Sequence, residues 1–256
     1  MKKVVAFSLW GTSDIYQKGA MDAIAQVNLS YPGWEARFYL GEDVPPAVRQ
    51  ELIDRGAVVF EGPRWGPWAG MFWRFLAASD PEVGVMISRD VDTRILPREV
   101  EAVNEWLASG RTLHIMRDHP RHEMPIMGGM WGCRTPRLRD MEEMILKWGK
   151  CAKYGCDQEF LGRVVYPRFQ DDSWIHSECV VFPGEIVHPF LSEPHDNAYV
   201  GSALREDGLV NKYNRYLSEW LEAGKPVCHL PYPWTLAGRL RLLKMIIRHK
   251  LKPGNP

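Results

Sequence analysis

Short apolar runs alternate with stretches of helical periodicity along the first half of the sequence. Five runs have the length and composition of strands: VVAFSLW, ARFYLG, AVVFEG, VGVMIS and TLHIMRD. Helical stretches separate the first three runs, and the second of these stretches begins at prolines and stops at a glycine, as helix ends tend to. Strands that alternate with helices form parallel sheets. The sequence therefore predicts an α/β fold, with a Rossmann-type, mostly parallel sheet and helices on both faces.

Three further helices are predicted downstream. Residues 97–110 lie between an initial proline and a terminal glycine, and one helical face carries Val100, Val103, Trp106 and Leu107. Residues 138–155 and 211–224 show the same spacing of apolar positions. We interpret these stripes as faces that contact the core.

Composition excludes several classes of protein. The 256 residues suit one domain, and the 32 basic and 32 acidic residues balance, so no overall field attracts nucleic acid. Five cysteines without a C-x-x-C pair predict free thiols and a cytoplasmic location. No segment approaches the run of about 20 apolar residues that a membrane span requires.

The fourth apolar run ends in two acidic residues, within the segment VGVMISRDVDTR. Asp90 and Asp92 are two positions apart, so in extended backbone both carboxylates point the same way, at the edge of the sheet where α/β proteins bind ligands. Converging carboxylates suit a hard divalent cation that bridges to phosphate oxygens, and the flanking Arg89 and Arg94 could serve the phosphates. The alternative is a solvated turn held by salt bridges.

A second class of enzyme has a similar motif. Haloacid-dehalogenase-type phosphohydrolases place D-x-D-x-T after an apolar strand, with the first aspartate as nucleophile, and the residues here are Asp90, Val91, Asp92 and Thr93. In that family the motif normally opens the domain, whereas here three predicted strands precede it. The acidic pair expected later in the chain is poorly matched by RFQDDSW, which lacks an apolar run before Asp171. The phosphohydrolase remains the alternative interpretation.

The order of three segments points to another family. FWRFLAASDPEVGVMISRDVDTR is followed by HIMRDHPRHEMPIMGGMWGCR and then by CDQEFLGRVVYP. Over residues 4–180 this order resembles the GT-A-type glycosyltransferases, above all the bacterial enzymes of polysaccharide and lipooligosaccharide assembly and the retaining families with a downstream Asp-Gln pair. The resemblance implies a single GT-A-like domain. It also implies transfer of a sugar from a nucleotide-diphosphate donor, with a uridine diphosphate sugar favoured, to a saccharide or lipid-linked acceptor.

The resemblance assigns the donor site. Asp90 and Asp92 would hold Mn²⁺ or Mg²⁺ on the diphosphate. A histidine late in the chain would complete the metal shell, and the candidates are His176, the favoured one, then His188 and His195. The sugar, phosphates and nucleotide of the donor would contact Arg74, Arg89, Phe7, Ser8 and Gly11. A non-catalytic protein that binds a nucleotide sugar would make the same contacts, and it is the third interpretation.

The resemblance also assigns the catalytic groups. Asp157 and Gln158 would lie beside the anomeric carbon, where a carboxylate or amide stabilises the developing positive charge. If the enzyme inverts configuration, Asp118 or Asp157 would deprotonate the acceptor hydroxyl. Retention is slightly favoured over inversion.

The acceptor site is predicted in the segment RDHPRHEMPIMGGMWG. Gly128 and Gly129 would let the backbone approach a ligand closely, and Trp131 offers a flat face for a sugar unless it is a core residue that follows a tight turn. His119, His122 and Glu123 could suggest a zinc site, but no fourth ligand at a recognised spacing accompanies them, so we interpret their segment as a surface loop.

The chain ends in a basic segment. We divide the sequence into a GT-A-like catalytic domain, residues 1–238, and a basic amphipathic tail, residues 239–256; within the domain, the nucleotide-sugar half ends near residue 95 and the acceptor half follows. Six Lys and Arg side chains in residues 239–252 predict a helix that lies on an anionic membrane surface, here the inner one. The alternative is a last helix that packs on the core and keeps its charges in water.

Overall fold

The computed structural model describes residues 1–66, 68–149, 153–194, 198–203 and 214–250. Its strands are β1 (Lys2–Leu9), β2 (Glu35–Leu40), β3 (Val58–Glu61), β4 (Val83–Ser88), β5 (Leu113–Arg117), β6 (Trp131–Arg134), β7 (Ser173–Ser177), β8 (Val180–Val181), β9 (Val187–His188) and β10 (Cys228–His229). Eight of them form one sheet in the order β3-β2-β1-β4-β6-β5-β7-β9, and β10 pairs with β8 separately.

Helices cover the sheet. They are α1 (Asp14–Ser30), α2 (Pro46–Asp54), α3 (Gly70–Trp73), α4 (Pro97–Ser109), α5 (Met141–Trp148), α6 (Cys156–Phe160), α7 (Tyr166–Phe169), α8 (Asn214–Glu222) and α9 (Leu236–Lys250). A 3₁₀ turn, Arg74–Ala78, continues α3. Local chemistry sets the ends of α4, because Pro97 occupies its first position and Gly110 follows it in the left-handed conformation, with φ of 73°.

The strand order creates a crevice beside the centre of the sheet. Within the eight-stranded sheet, β6 pairs antiparallel with β4 and β5, whereas the other neighbouring pairs are parallel. The chain runs outward from β1 to β2 and β3, then returns to place β4 on the other side of β1. A reversal of this kind opens a binding crevice at the carboxyl ends of the two strands. Here those ends are Leu9 and Ser88, and Asp90 follows two residues later.

Both faces of the sheet are buried. Val4 and Ala6 of β1 belong to one core cluster, which α3, α5 and α6 cover, while Val5 and Phe7 belong to a second cluster under α1 and α2. Side chains of a strand alternate between faces, so a strand buried on both sides is a continuous apolar run. This arrangement explains why polar side chains on β1 and β4 are concentrated at the strand ends.

The predicted fold is confirmed, with two local corrections. Each of the five apolar runs contains a strand of the main sheet. The helix predicted over residues 138–155 is shorter, because α5 stops before Gly149, whose φ of 87° breaks it. Cys156 is disulfide-bonded, so the expectation of free thiols fails there, while Cys133, Cys179 and Cys228 are free. Cysteine spacing does not determine pairing. The proposed division at residue 238 stays a prediction.

Candidate active site

A cleft of about 670 Å³ lies at the carboxyl ends of β1 and β4. The end of β1 contributes one wall, and the turn after β4 contributes the floor. The lining also includes residues of α1, of α3 and its 3₁₀ turn, of α6, of the loops before β6 and after β5, and of the segment 199–203. Segments that are far apart in the sequence therefore meet in one cavity, and its charged groups come from residues 74, 90, 92, 121 and 157.

The two aspartates occupy a tight turn after β4. The Thr93 hydroxyl and backbone N–H both donate to the Asp90 carbonyl oxygen, at 2.9 and 3.3 Å. Helix α1 presses on the outside of this turn: a Cβ on Gly19 would collide with the Val91 carbonyl oxygen, so only glycine permits the close approach. Both Asp90 and Asp92 line the cleft as a result.

The aspartate pair concentrates negative charge. Burial, reinforced by the neighbouring Asp90 carboxylate, raises the pKa of Asp92 to about 6. Burial and the same two carboxylates raise the pKa of Tyr16, so its hydroxyl remains neutral. Ionising two neighbouring carboxylates is unfavourable, and a cation bound between them would stabilise the ionised pair.

Arg74 connects the two acidic parts of the cleft. Its guanidinium forms one ion pair with Asp90 and a second, at 3.5 Å, with Asp157. Its backbone N–H donates to the Ser8 hydroxyl at 3.0 Å, which ties the 3₁₀ turn to the end of β1. Burial alone would lower the pKa of Arg74, but the attraction of Asp90 and Asp157 outweighs burial and the pKa is raised. The side chain is a permanent cation between two carboxylates.

Gly128 and Gly129 bring backbone against these charged side chains from the opposite wall. A Cβ on Gly128 would collide with the Asp157 carboxylate and would stand 2.7 Å from Arg74 Nη2. A Cβ on Gly129 would collide with the Asp90 carboxylate, 2.6 Å from its Cγ. Both predicted glycines lie in the cleft, and each leaves the space that a charged side chain fills.

Asp157 and Gln158 enter the cleft at the start of α6. Gly155, with φ of 78°, turns the chain into this helix. Asp157 is only 3% exposed, and this burial raises its pKa although Arg74 opposes the shift. Gln158 lines the same wall. The structure thus brings the Asp-Gln pair to the D-x-D turn, and the catalytic roles of the pair stay predictions.

The groups in the cleft fit a divalent cation. The Asp90 side chain is 40% exposed in the cleft, and its carboxylate is close enough to Asp92 to help raise the pKa of Asp92. Magnesium and manganese take oxygen ligands, and in nucleotide sites they keep waters and phosphate oxygens beside one or two carboxylates. Among the described residues, no cluster of three or more His, Cys, Asp and Glu could hold a metal. A cation here would therefore complete its shell with oxygens of the ligand and water.

The favoured histidine ligand, His176, lies outside the cleft lining. His176 is fully buried in β7, where its ring nitrogens lie 3.0 Å from His114 Nε2 and 3.0 Å from Glu105 Oε2. One ring nitrogen is therefore engaged by His114 of β5 and the other by Glu105 of α4, and His176 is a structural residue. His188 stacks on Trp174 with ring centroids 3.6 Å apart, and His195 lies outside the described residues.

Arg89 also points away from the cleft. Its side chain is 2% exposed and forms a buried ion pair with Glu99 of α4, which also accepts a hydrogen bond from Tyr31 at 3.2 Å. Side chains of adjacent residues in extended backbone point to opposite sides, so when the Asp90 side chain faces the cleft the Arg89 side chain faces the core. The predicted contact of Arg89 with the donor is corrected to a role in the core. Arg94 pairs on the surface with the carboxylate of residue 22, at 2.8 Å.

Two predicted aromatic contacts are core residues. Phe7 stacks on Phe38, with ring centroids 4.8 Å apart, on the face under α1. Trp131 is fully buried and meets Phe75 edge to face at 5.3 Å, so it offers no face to a sugar. The core alternative for Trp131 is the one that the structure shows.

Gly11 and Asp118 are likewise absent from the cleft lining. Gly11 follows β1 with φ of 79°, where it turns the chain toward α1. Asp118 is 2% exposed, pairs with Arg98 at 2.7 Å and accepts a hydrogen bond from the Val200 N–H at 2.9 Å. Both partners hold Asp118 inside the protein, which removes it as a base for the acceptor.

Three exposed aromatic side chains that were not predicted from the sequence form one wall of the cleft. Trp10, Tyr16 and Tyr154 line the cleft and are 39%, 43% and 80% exposed. Of the tryptophans near residue 70, Trp68 lines the cleft, whereas Trp73 is buried and donates to the Pro63 carbonyl. The available signal was position, because Trp10 directly follows the strand whose end forms the crevice.

The loop after β5 is part of the cleft and not of the outer surface. His119 and His122 are 1% and 7% exposed and line the cavity together with Arg121 and Tyr199. Each imidazole accepts a backbone N–H at Nδ1, at 3.0 Å for His119 and 3.1 Å for His122. A neutral ring with Nδ1 as acceptor carries its proton on Nε2. Burial lowers the pKa of His122 and keeps that ring neutral.

Comparisons with known proteins identify the fold. No family model and no curated protein sequence matches the chain. An active-site mutant of LgtC superposes over 86% of this chain and 95% of that chain, with 12% identity and a TM-score of 0.50. Galactosyltransferase LgtC with donor and acceptor sugar analogs matches over 88% of this chain and 100% of that chain, with 13% identity and a TM-score of 0.48. Glucosyl-3-phosphoglycerate synthase from Mycobacterium tuberculosis with Mn²⁺, UDP-glucose and glycerol 3-phosphate matches over 89% of this chain and 81% of that chain, with 14% identity and a TM-score of 0.47. Identities this low establish shared architecture alone. The chain therefore has a GT-A-type fold.

Proposed function

We propose that the protein is a metal-dependent glycosyltransferase. It would move a sugar from a nucleotide-diphosphate donor, with a uridine diphosphate sugar favoured, to a saccharide or lipid-linked acceptor. The observation that carries the proposal is the bridge of Arg74 between Asp90 and Asp157. In a nucleotide sugar the diphosphate and the anomeric carbon are directly bonded, so an enzyme needs its metal-binding and charge-stabilising carboxylates this close together.

The residues divide the work according to their chemistry. Asp90 and Asp92 would hold Mn²⁺ or Mg²⁺, and a cation bound there supplies charge neutralisation for the departing diphosphate. Arg74 positions the carboxylates of the D-x-D turn and of α6 relative to each other. Asp157 presents a buried carboxylate. A carboxylate stabilises a developing positive charge most strongly where water is excluded. Gln158 adds a neutral amide on the same wall.

The carboxylates of the cleft bear on the stereochemical outcome. In the described part of the lining they are Asp90, Asp92 and Asp157. If Asp90 and Asp92 bind the cation, Asp157 is the carboxylate of this set that remains to act in either a retaining or an inverting mechanism. We favour retention, because the ion pair with Arg74 suits an electrostatic stabiliser better than a base that must accept a proton.

The phosphohydrolase alternative receives little support from the site. Asp171 and Asp172 lie on the 3₁₀ turn before β7, outside the cleft lining, and Asp172 pairs with Arg137. Asp90, the nucleophile in that alternative, instead forms an ion pair with Arg74. Binding of a nucleotide sugar without catalysis would use the same cleft, and turnover separates it from the transferase.

The first experiment is a thermal-shift panel of nucleoside diphosphates and nucleotide sugars, each with and without Mn²⁺. Ligands that bind only the native state raise the melting temperature by mass action. We expect one base to give a shift that requires the cation, followed by release of nucleoside diphosphate in the presence of that donor. Binding without release would support the binding protein. Beryllofluoride adduct formation on Asp90 without any nucleotide shift would support the phosphohydrolase.

Two matched variants test whether the Mn²⁺-dependent thermal shift arises at the D-x-D turn. Asp92→Asn removes one proposed ligand and should abolish the Mn²⁺-dependent shift, with the fold retained. Asp171→Asn makes the same chemical change on an exposed aspartate outside the cleft and should leave the shift unchanged. Equal behaviour of the two variants would contradict a metal site at the D-x-D turn.

A further inference from the structure

Helix α9 presents an unpartnered apolar ridge. Leu236, Leu240 and Leu243 are 74%, 48% and 52% exposed. Their spacing of four and three residues puts them within about 60° on one side of a helix with 3.6 residues per turn. Exposed leucines aligned in a row differ from scattered surface leucines, because a contiguous apolar strip marks an interaction surface.

Positive charge borders this ridge. Arg239 and Lys244 are exposed, and the helical period places one on each side of the leucines. From residue 236 to the end of the sequence there are six Lys and Arg and no Asp or Glu, although the whole chain has no net charge. The local excess therefore favours a partner that combines an apolar layer with negative groups.

The opposite side of α9 is fixed to the protein. Gly238 is buried there, and a Cβ on it would collide with the Tyr232 carbonyl oxygen and lie 2.9 Å from Pro233 Cα. Arg241 pairs with Glu123 at 3.0 Å. The helix is thus held by its inner side, and the leucine ridge faces outward as a consequence of that attachment.

We propose that the outer face of α9 docks on an anionic membrane surface. The leucines would enter the boundary between headgroups and acyl chains, and Arg239 and Lys244 would meet the anionic headgroups. No described helix has the length and apolarity to cross a bilayer.

The contact that holds α9 to the protein also links this helix to a residue of the cleft lining. Glu123 accepts Arg241 of α9 on one oxygen and Arg121 on the other, at 3.0 and 3.5 Å, and Arg121 lines the cleft. The part of the cleft lined by Arg121 would therefore lie next to the docked helix. If the proposed transferase activity holds, this proximity favours an acceptor that is presented at the membrane.

Vesicle sedimentation tests the docking directly. We expect the full chain to sediment with vesicles of phosphatidylcholine and phosphatidylglycerol, less at high salt, and not with phosphatidylcholine alone. Leu240→Gln with Leu243→Gln should weaken binding at least about tenfold. Arg239→Gln with Lys244→Gln should weaken it about 25-fold, at roughly fivefold per charge. Leu29→Gln with Leu146→Gln is the matched control, because those leucines are 84% and 56% exposed on other helices.

The sedimentation of the variants distinguishes membrane docking from dimerisation and from loss of folding. Full-strength sedimentation of the control pair, with unchanged melting temperatures in all variants, supports the proposal. No sedimentation of the wild type, equal sedimentation of the α9 leucine variant, or equal loss in the control overturns it. Dimerisation that the α9 leucine variant abolishes, without vesicle binding, would assign the ridge to a second copy of the chain and would also overturn it. The nucleotide-dependent thermal shift should persist in every α9 variant, so the two proposals fail independently.

Discussion

Gly129→Ala tests the geometry of the cleft without removing a functional group. The added Cβ would stand 2.6 Å from Asp90 Cγ, whereas relaxed contacts between carbon atoms begin near about 3.5 Å, so the carboxylate has to retreat by about 1 Å. A misplacement of about 1 Å in a positioned group costs about 100-fold in rate, which corresponds to about 2.7 kcal/mol of transition-state stabilisation. Overpacking at one site costs about 1–3 kcal/mol of folding free energy, so the variant should still fold.

The assay measures kcat/KM for release of nucleoside diphosphate, together with the Mn²⁺ concentration at half-maximal rate and the melting temperature. Gly84→Ala is the matched control, because it lies at the start of β4 and its Cβ would meet the side chain of the N-terminal Met1 at 2.9 Å. The control should keep its activity. A Gly129→Ala enzyme with wild-type kcat/KM and Mn²⁺ dependence would refute the argument that Asp90 must stay where the glycine allows it.

Three further predictions concern single side chains. Arg74→Lys should lower kcat/KM about 10- to 100-fold with little change in melting temperature, because one ammonium cannot reproduce a planar fork between Asp90 and Asp157; an unchanged kcat/KM would argue against the bridge. Since burial and Asp90 raise the pKa of Asp92 to about 6, the metal-free protein should lose stability as the pH rises from about 4 through about 6, and the Mn²⁺-induced rise in melting temperature should grow over the same range. A Mn²⁺ effect that is constant from about pH 5 to about pH 7 would contradict that sign. His176→Asn should cost about 1–3 kcal/mol in urea denaturation and leave Mn²⁺ affinity unchanged, because its ring nitrogens contact His114 of β5 and Glu105 of α4, and His176 does not line the cleft; weaker Mn²⁺ binding would restore it as a ligand.

The fold was the most predictable property of this chain. Strands buried on both faces need continuous apolar runs, and helices that cover them need one apolar stripe, so both leave a periodic record in the sequence. The D-x-D turn was also accessible, because two aspartates directly after such a run must lie at the carboxyl edge of the sheet. The order of later motifs then indicated that Asp157 would reach the same edge.

Long-range packing determines which side chains face the cleft. A shift of one residue along an extended segment reverses the direction of a side chain, which separates Asp90 in the cleft from Arg89 in the core. Partners distant in sequence determine whether a polar side chain is available: Arg98 holds Asp118 inside the protein, and hydrogen bonds within the sheet hold His176. The periodicity of a sequence indicates which residues of one helix or strand are buried. It does not indicate which distant element supplies the hydrogen-bond or ion-pair partner of a polar side chain.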